Sequence, residues 1–145
     1  MAVNSWGFGA APLLKPATTE DTEIVVFLSD VHVPYHDVAA VQSAVRLLRK
    51  VRPHTVVVNG DMNDFFQLSR FNTEAERMDH LQEEIDEANS LRAAIRKACP
   101  DARFIENDGN HDTRIRSYVA QNARALTSLR ALEPRNLFDW DKLDI

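Results

Sequence analysis

Glu23-Ile24-Val25-Val26-Phe27-Leu28-Ser29 runs directly into Asp30-Val31-His32, and this junction decides how the chain is built. A near-continuous apolar run of this length is expected of a strand buried on both faces. The carboxylate and imidazole that follow lie at its carboxyl end, where an open α/β sheet collects its functional groups. The arrangement recurs twice. Thr55-Val56-Val57-Val58-Asn59 leads into Gly60-Asp61-Met62-Asn63-Asp64, and a strand over Ala102–Glu106 leads into Gly109-Asn110-His111-Asp112. The chain has four glycines, and the two beyond residue 9 are Gly60 and Gly109. Each stands where the backbone must turn sharply to aim a polar side chain.

Between these strands the pattern changes to a helical period. Val38, Val41, Val45 and Leu48 predict a helix from His36 or Asp37 to Lys50, with Asp37 at its start and Pro53 beyond its end. A second helix is expected from Thr73 to Cys99. Thr73 and Glu76 read as a capping box, Leu81, Ile85, Ala88, Leu91 and Ile95 as the inward stripe, and Pro100 as the stop. Asp112 is expected to cap a third helix carrying Ile115, Tyr118 and Val119. Leu126, Leu129 and Leu132 suggest a fourth helical piece before Pro134. Strand and helix alternate, so the fold class is α/β, with parallel β-strands and crossover helices. Residues 1–22 read as a loose N-terminal arm and residues 23–145 as one domain. Leu137, Phe138, Trp140, Leu143 and Ile145 find nothing downstream to pack against. An exposed apolar tail is the expectation there, with the domain incomplete at its C-terminus.

Composition narrows the function classes. A chain of 145 residues with 44% hydrophobic and 27% charged residues is one soluble domain's worth. Its net charge of −5 argues against a general nucleic-acid surface. A phosphate-bearing substrate remains compatible, because bound cations would dominate the local field. The single cysteine, Cys99, forms no internal disulfide and reads as a packing residue in a reducing compartment. No apolar run is long enough to span a membrane, and no secretory signal opens the chain, so the cytoplasm is the expected location.

The chemistry lies in the three strand ends. Asp30 and His32 can reach one cation, and their oxygen and nitrogen suit manganese, iron, zinc or nickel. Asp61 can give its carboxylate to two metals at once, and Asn110 offers a neutral amide oxygen to the second. His111 is placed to give a proton or hydrogen bond to a phosphate oxygen or leaving group. Asp64 can orient that imidazole. Each of these residues alone has an ordinary structural reading as a turn or cap group. Three sets at successive strand ends favour the metal reading. Asp64 stays open to the role of a solvated turn carboxylate. His36 and His54 read as structural, and His80 as exposed. Arg114 and Arg116 follow the third motif and could meet a phosphate, though solvated helix charges are the expected role, and Glu83, Glu84, Asp86 and Glu87 read as a wet helix face.

Asp-x-His, Gly-Asp-x-x-Asp and Gly-Asn-His-Asp, in this order over residues 23 to 120, resemble the calcineurin-like metallophosphoesterase family. The resemblance implies the first half of a metallophosphoesterase β-sandwich flanked by helices. It also implies hydrolysis of phosphate mono- or diesters by a two-metal mechanism with two divalent metal ions. Asp30 and His32 would then serve the first metal, Asp61 would bridge, and Asn110 would serve the second. His111 would be the catalytic histidine, supported by Asp64. The family completes its site with later histidines, including a Gly-His-x-His pair, whereas this chain has none after His111. Two rivals stand beside this reading. One is a nuclease of the same family acting on DNA or RNA. The other is a catalytically silent truncated domain that binds a partner through the surface its missing half would cover, with the exposed apolar tail (Phe138, Trp140, Leu143) as the feature favouring it. The expected partners are a phosphoester substrate, nucleic acid only in the nuclease reading, and no membrane.

Overall fold

A computed structural model describes residues 22–69 and 80–145. Their order is β1 (Val25–Leu28), α1 (Val38–Val51), β2 (Thr55–Asn59), α2 (Leu81–Ala98), β3 (Arg103–Asn107), α3 (Arg114–Asn122), α4 (Pro134–Leu137) and α5 (Trp140–Leu143). Single 3-10 turns occupy Phe66–Leu68, Arg124–Ser128 and Arg130–Leu132. The strands form one parallel sheet in the order β1-β2-β3, with Val26 beside Val56 and Val56 beside Phe104. The α/β expectation therefore holds. The N-terminal arm and the Thr73–Glu76 capping box lie outside the described residues.

Both long crossover helices cover the same face of the sheet. Val26, Leu28, Val56, Val58 and Phe104 point toward Leu48 of α1 and Ala88, Ile95 and Ala98 of α2, and Cys99 packs among them. Asp37 caps α1 by accepting a hydrogen bond from the Ala40 N–H at 3.0 Å. The other sheet face is bare at its edge, where Phe27 is 66% exposed beside an exposed Val25. The expectation that the first strand is buried on both faces is therefore wrong. Among the described residues, only its Val26 and Leu28 face meets helices. On the open side Val57 is buried because Phe27 and Ile105 flank it in register.

The apolar C-terminal residues also depart from expectation. Phe138 is 1% exposed and stacks with Phe65, ring centroids 6.2 Å apart, in a second core cluster with Ile85 and Ile115. Backbone groups fasten this segment to α2. Asn89 Nδ2 donates to the Leu137 carbonyl at 2.8 Å, and Arg96 Nε donates to the Leu143 carbonyl at 2.7 Å. The segment turns back and packs into the domain's own core. Of the tail residues that favoured the partner-binding reading, Phe138 is buried and Trp140 and Leu143 are partly buried.

The acidic face of α2 needs a correction as well. Glu84 is buried, one residue before Ile85 and four before Ala88, and its Oε1 accepts from the Phe65 N–H at 2.7 Å. Burial pushes its carboxyl above the ordinary value, against hydrogen bonds from Phe65, Gln67 and Asn63, while neighbouring Asp64 pushes the same way as burial. The folded state thus holds this proton more tightly than the unfolded chain. Its contribution is complete below the ordinary carboxylate value and is lost as pH rises through the raised one. Glu84→Gln keeps an acceptor for Phe65 and removes the titration. Urea midpoints measured from mildly acidic to mildly alkaline pH should fall more steeply in the wild type than in Glu84→Gln. Parallel curves would disprove this assignment.

Candidate metal centre

The three strand-end loops are bound to one another along their backbones. After β1 and β2 end, their pairing continues as a parallel bridge between Val33 and Asn63. His32 N–H donates to the Asp61 carbonyl and Val33 N–H to the Met62 carbonyl, both at 2.9 Å. Asp64 N–H returns a bond to the Val33 carbonyl at 3.0 Å. The third loop joins through side chains. Asp61 Oδ1 accepts from the His111 N–H at 2.8 Å. The buried Asp112 carboxylate accepts from the N–H groups of Asp61, Asn63 and Gly109 at 2.7, 3.0 and 2.9 Å. Asp112 therefore does not cap α3. The Ncap position of α3 falls to Thr113, whose side chain makes no cap bond. Three N–H groups converging on one point outcompete a single helix cap.

Such close approach leaves no room for side chains at the two glycines. A Cβ at Gly60, where φ is +85°, would stand 2.9 Å from the Gly109 Cα. A Cβ at Gly109 would overlap the Asp61 carboxylate. Asp30, His32 and Asp61 adopt left-handed backbone conformations at φ 55°, 53° and 56°. Such conformations cost about 1–3 kcal/mol each and persist where the surroundings enforce them, as at functional sites.

These constraints gather His32, Asp61 and His111, whose ligand-type atoms all lie within 4.8 Å of one another. Asp30 stands at the rim, 67% exposed at its side chain, with Oδ1 4.0 Å from His32 Nε2. Asn110 is exposed on the adjoining loop and lines a neighbouring cleft. Asp64 lies behind the two imidazoles. Its Oδ2 is 3.0 Å from His32 Nδ1 and 3.3 Å from His111 Nδ1, and its backbone carbonyl is 2.9 Å from His111 Nδ1. Acceptors on the Nδ1 side select the Nδ1–H tautomer in both rings and leave a lone pair on each Nε2. Two such imidazoles and a carboxylate form a donor set that fits a first-row divalent cation.

Arg114 stands at the candidate site, the placement that the sequence reading set second to a solvated helix charge. It is not a solvated helix charge. Its Nη1 donates to the Asp64 carbonyl at 2.9 Å, and its Nη2 lies 3.0 Å from His111 Nε2. Its position one helical step past His111 was the available signal. Arg116 pairs with Asp108 at the surface, as a helix charge would.

Beneath the loops lies a feature the sequence reading missed. Arg92 on α2 is fully buried and forks onto Glu106, with Nη2 2.6 Å from Oε1 and Nε 2.9 Å from Oε2. The same Nη2 donates to Asn63 Oδ1 at 2.9 Å, so α2, β3 and the loop bearing Asp61 meet at one guanidinium.

Parallel strands that bring two imidazoles and a carboxylate to one edge define a class: α/β proteins with a candidate divalent-metal centre. Residues 24–144 match the family model described as calcineurin-like phosphoesterase. The chain belongs to that family, whose members are hydrolases acting on phosphoester bonds and generally use divalent metals. Neither the curated proteins nor the solved structures gave a match to the chain. Among the described residues no helix is long and apolar enough to cross a membrane.

Proposed function

We propose that this domain hydrolyses phosphate mono- or diesters with two divalent cations, held by Asp30, His32, Asp61 and Asn110. The observation that carries the reading is the gathering of His32, Asp61 and His111 from three separate strand-end loops within 4.8 Å. Cations bound there would neutralise charge on the phosphoryl oxygens and assist attack by water. Asp64 holds the Nδ1 proton of His32, which turns Nε2 toward the Asp30 side as a ligand atom. Asp61 lies between the first and third loops, where one carboxylate can serve two cations. His111 would assist the leaving oxygen from Nε2, and Asp64, beside Nδ1, orients the ring for it. Arg114 adds positive charge at the same atom and favours an anionic substrate beside it. A cytoplasmic setting accords with a lone, buried Cys99.

Calorimetric titration with manganese should show uptake by the wild type. In Asp61→Asn that uptake should weaken by at least the roughly 10–100-fold typical of losing a supporting group. Hydrolysis of p-nitrophenyl phosphate or its bis ester should fall with it. Equal metal uptake by both proteins would remove Asp61 from the bridging role. A strong preference for single-stranded DNA over both small esters would move the assignment to the nuclease reading.

A further inference from the structure

Arg114 opens α3, and its backbone N–H donates to the His111 carbonyl at 2.9 Å. That turn sets the two side chains three residues apart, on one face. The guanidinium is then held at two points. Nη1 donates to the Asp64 carbonyl at 2.9 Å, and Nη2 lies 3.0 Å from His111 Nε2. Asp64 Oδ1 is 3.6 Å from Nη1, beyond hydrogen-bond reach, so it balances charge without taking a donor. An arginine fork carries five N–H groups, more than these two contacts engage.

The position of the fork decides what it can recognise. His111 Nε2 is the atom assigned to the leaving oxygen, and Arg114 Nη2 stands within hydrogen-bond distance of that same atom. A phosphorus whose leaving oxygen reaches His111 therefore brings its neighbouring oxygens against the guanidinium. What the fork meets there depends on the ester. A monoester has three unesterified oxygens and, with a second pKa of about 6, close to two negative charges at neutral pH. A diester has two such oxygens, a single charge and a second organic arm. An unesterified oxygen accepts a charge-assisted bond from a guanidinium, about twice as strong as a neutral one. An esterified oxygen bears no such charge, and its organic arm would crowd a side chain only 19% exposed. A monoester can give one oxygen to Arg114 and still offer two to cations held by Asp30, His32, Asp61 and Asn110.

We propose that Arg114 makes this site select phosphate monoesters over diesters. The inference rests on the phosphoesterase reading and names its substrate class. In the reaction the oxygen of water joins phosphorus as the ester bond breaks. The leaving oxygen takes a proton, and the products are an alcohol and inorganic phosphate. Arg114 holds the oxygen that stays free in a monoester and is capped in a diester.

Phenylphosphonate has three free oxygens and methylphenylphosphinate two. Neither contains an ester bond, so their binding is read apart from turnover. Calorimetry at pH 8 with manganese should show the wild type favouring the phosphonate. In Arg114→Gln that preference should shrink by about tenfold or more, the fold-change of a charge-assisted hydrogen bond. Arg114→Lys keeps the charge without the fork, so it should retain part of the preference. The ratio of kcat/KM for p-nitrophenyl phosphate over its bis ester should fall in the same order. An arginine that only fastened α3 to the loop would weaken both probes alike in its variants. An unchanged ratio in both variants, equal binding of the two probes by the wild type, or binding of neither would therefore overturn the proposal. A preference that is lost in Arg114→Gln, without turnover of either ester by the wild type, would keep the selection by Arg114 and reject hydrolysis. Turnover of both esters with a ratio unmoved by the variants would reject the role of Arg114 alone.

Discussion

Arg92→Met should destabilise the domain by about 3–5 kcal/mol, the usual cost of removing one partner from a buried ion pair. A domain of this kind has a total of about 5–15 kcal/mol to lose. The loss is large because it strands several groups together. Glu106, whose side chain is 2% exposed, keeps its charge with no partner. Asn63 and Asn89 each lose a donor, and Phe138 loses the cation lying 4.6 Å over its ring. Buried ion pairs are often replaceable when both partners become apolar together. Here the double variant Arg92→Met with Glu106→Leu should recover only part of the loss, because Asn63 Oδ1 still faces an apolar neighbour. Denaturant unfolding of the wild type, both single variants and the double variant measures this coupling. A single-variant cost below about 1 kcal/mol, the scale of an exposed pair, would show that the network contributes little.

What was legible in the sequence follows from how local each signal is. The second strand could be read to the residue, because its three valines, Val56 to Val58, are set off by Pro53 before them and Gly60 after them. The start of α1 was legible through Asp37, whose cap bond spans three residues. The burial of β1 was not, because an apolar run reports what a strand can bury and not whether anything covers its second face. Phe27 is exposed for that reason. Glu84 and Arg92 were hidden by their charge. Both fall on the buried stripe of α2, at helical spacing from Ala88. Their partners, Phe65 and Glu106, are distant in sequence, and no period reveals such pairing. Phe138 was read as unpartnered because its neighbours, Phe65 and Arg92, precede it by many residues. At the candidate site the sequence named the loops, and the structure gathers His32, Asp61 and His111 from them. Arg114 and Asp112 were assigned to the helix that follows them, since local spacing offers that role first. Their side chains instead face back across the sheet edge.

Asp112 separates those two readings by experiment. A helix cap is worth about 1 kcal/mol, and its loss would leave metal uptake unchanged. A carboxylate holding three backbone N–H groups from two loops behaves differently. Hydrogen bonds to a charged group contribute about 1.5–3 kcal/mol each, and of the abandoned donors Asn63 is buried and Asp61 and Gly109 are partly so. Asp112→Ala should therefore cost at least about 3 kcal/mol, after allowance for imperfect additivity. Manganese affinity should fall with it by roughly 10–100-fold, because the loops bearing Asp61 and His111 are no longer held in register. Asp112→Asn retains one acceptor oxygen but turns an NH2 group toward backbone donors, so its stability should lie between those of the wild type and Asp112→Ala. Unfolding free energy and calorimetric metal affinity, measured together on the three proteins, distinguish the roles. A loss near 1 kcal/mol with unaltered manganese binding would return Asp112 to the helix and leave the register of the loops to their backbone bridge at Val33 and Asn63.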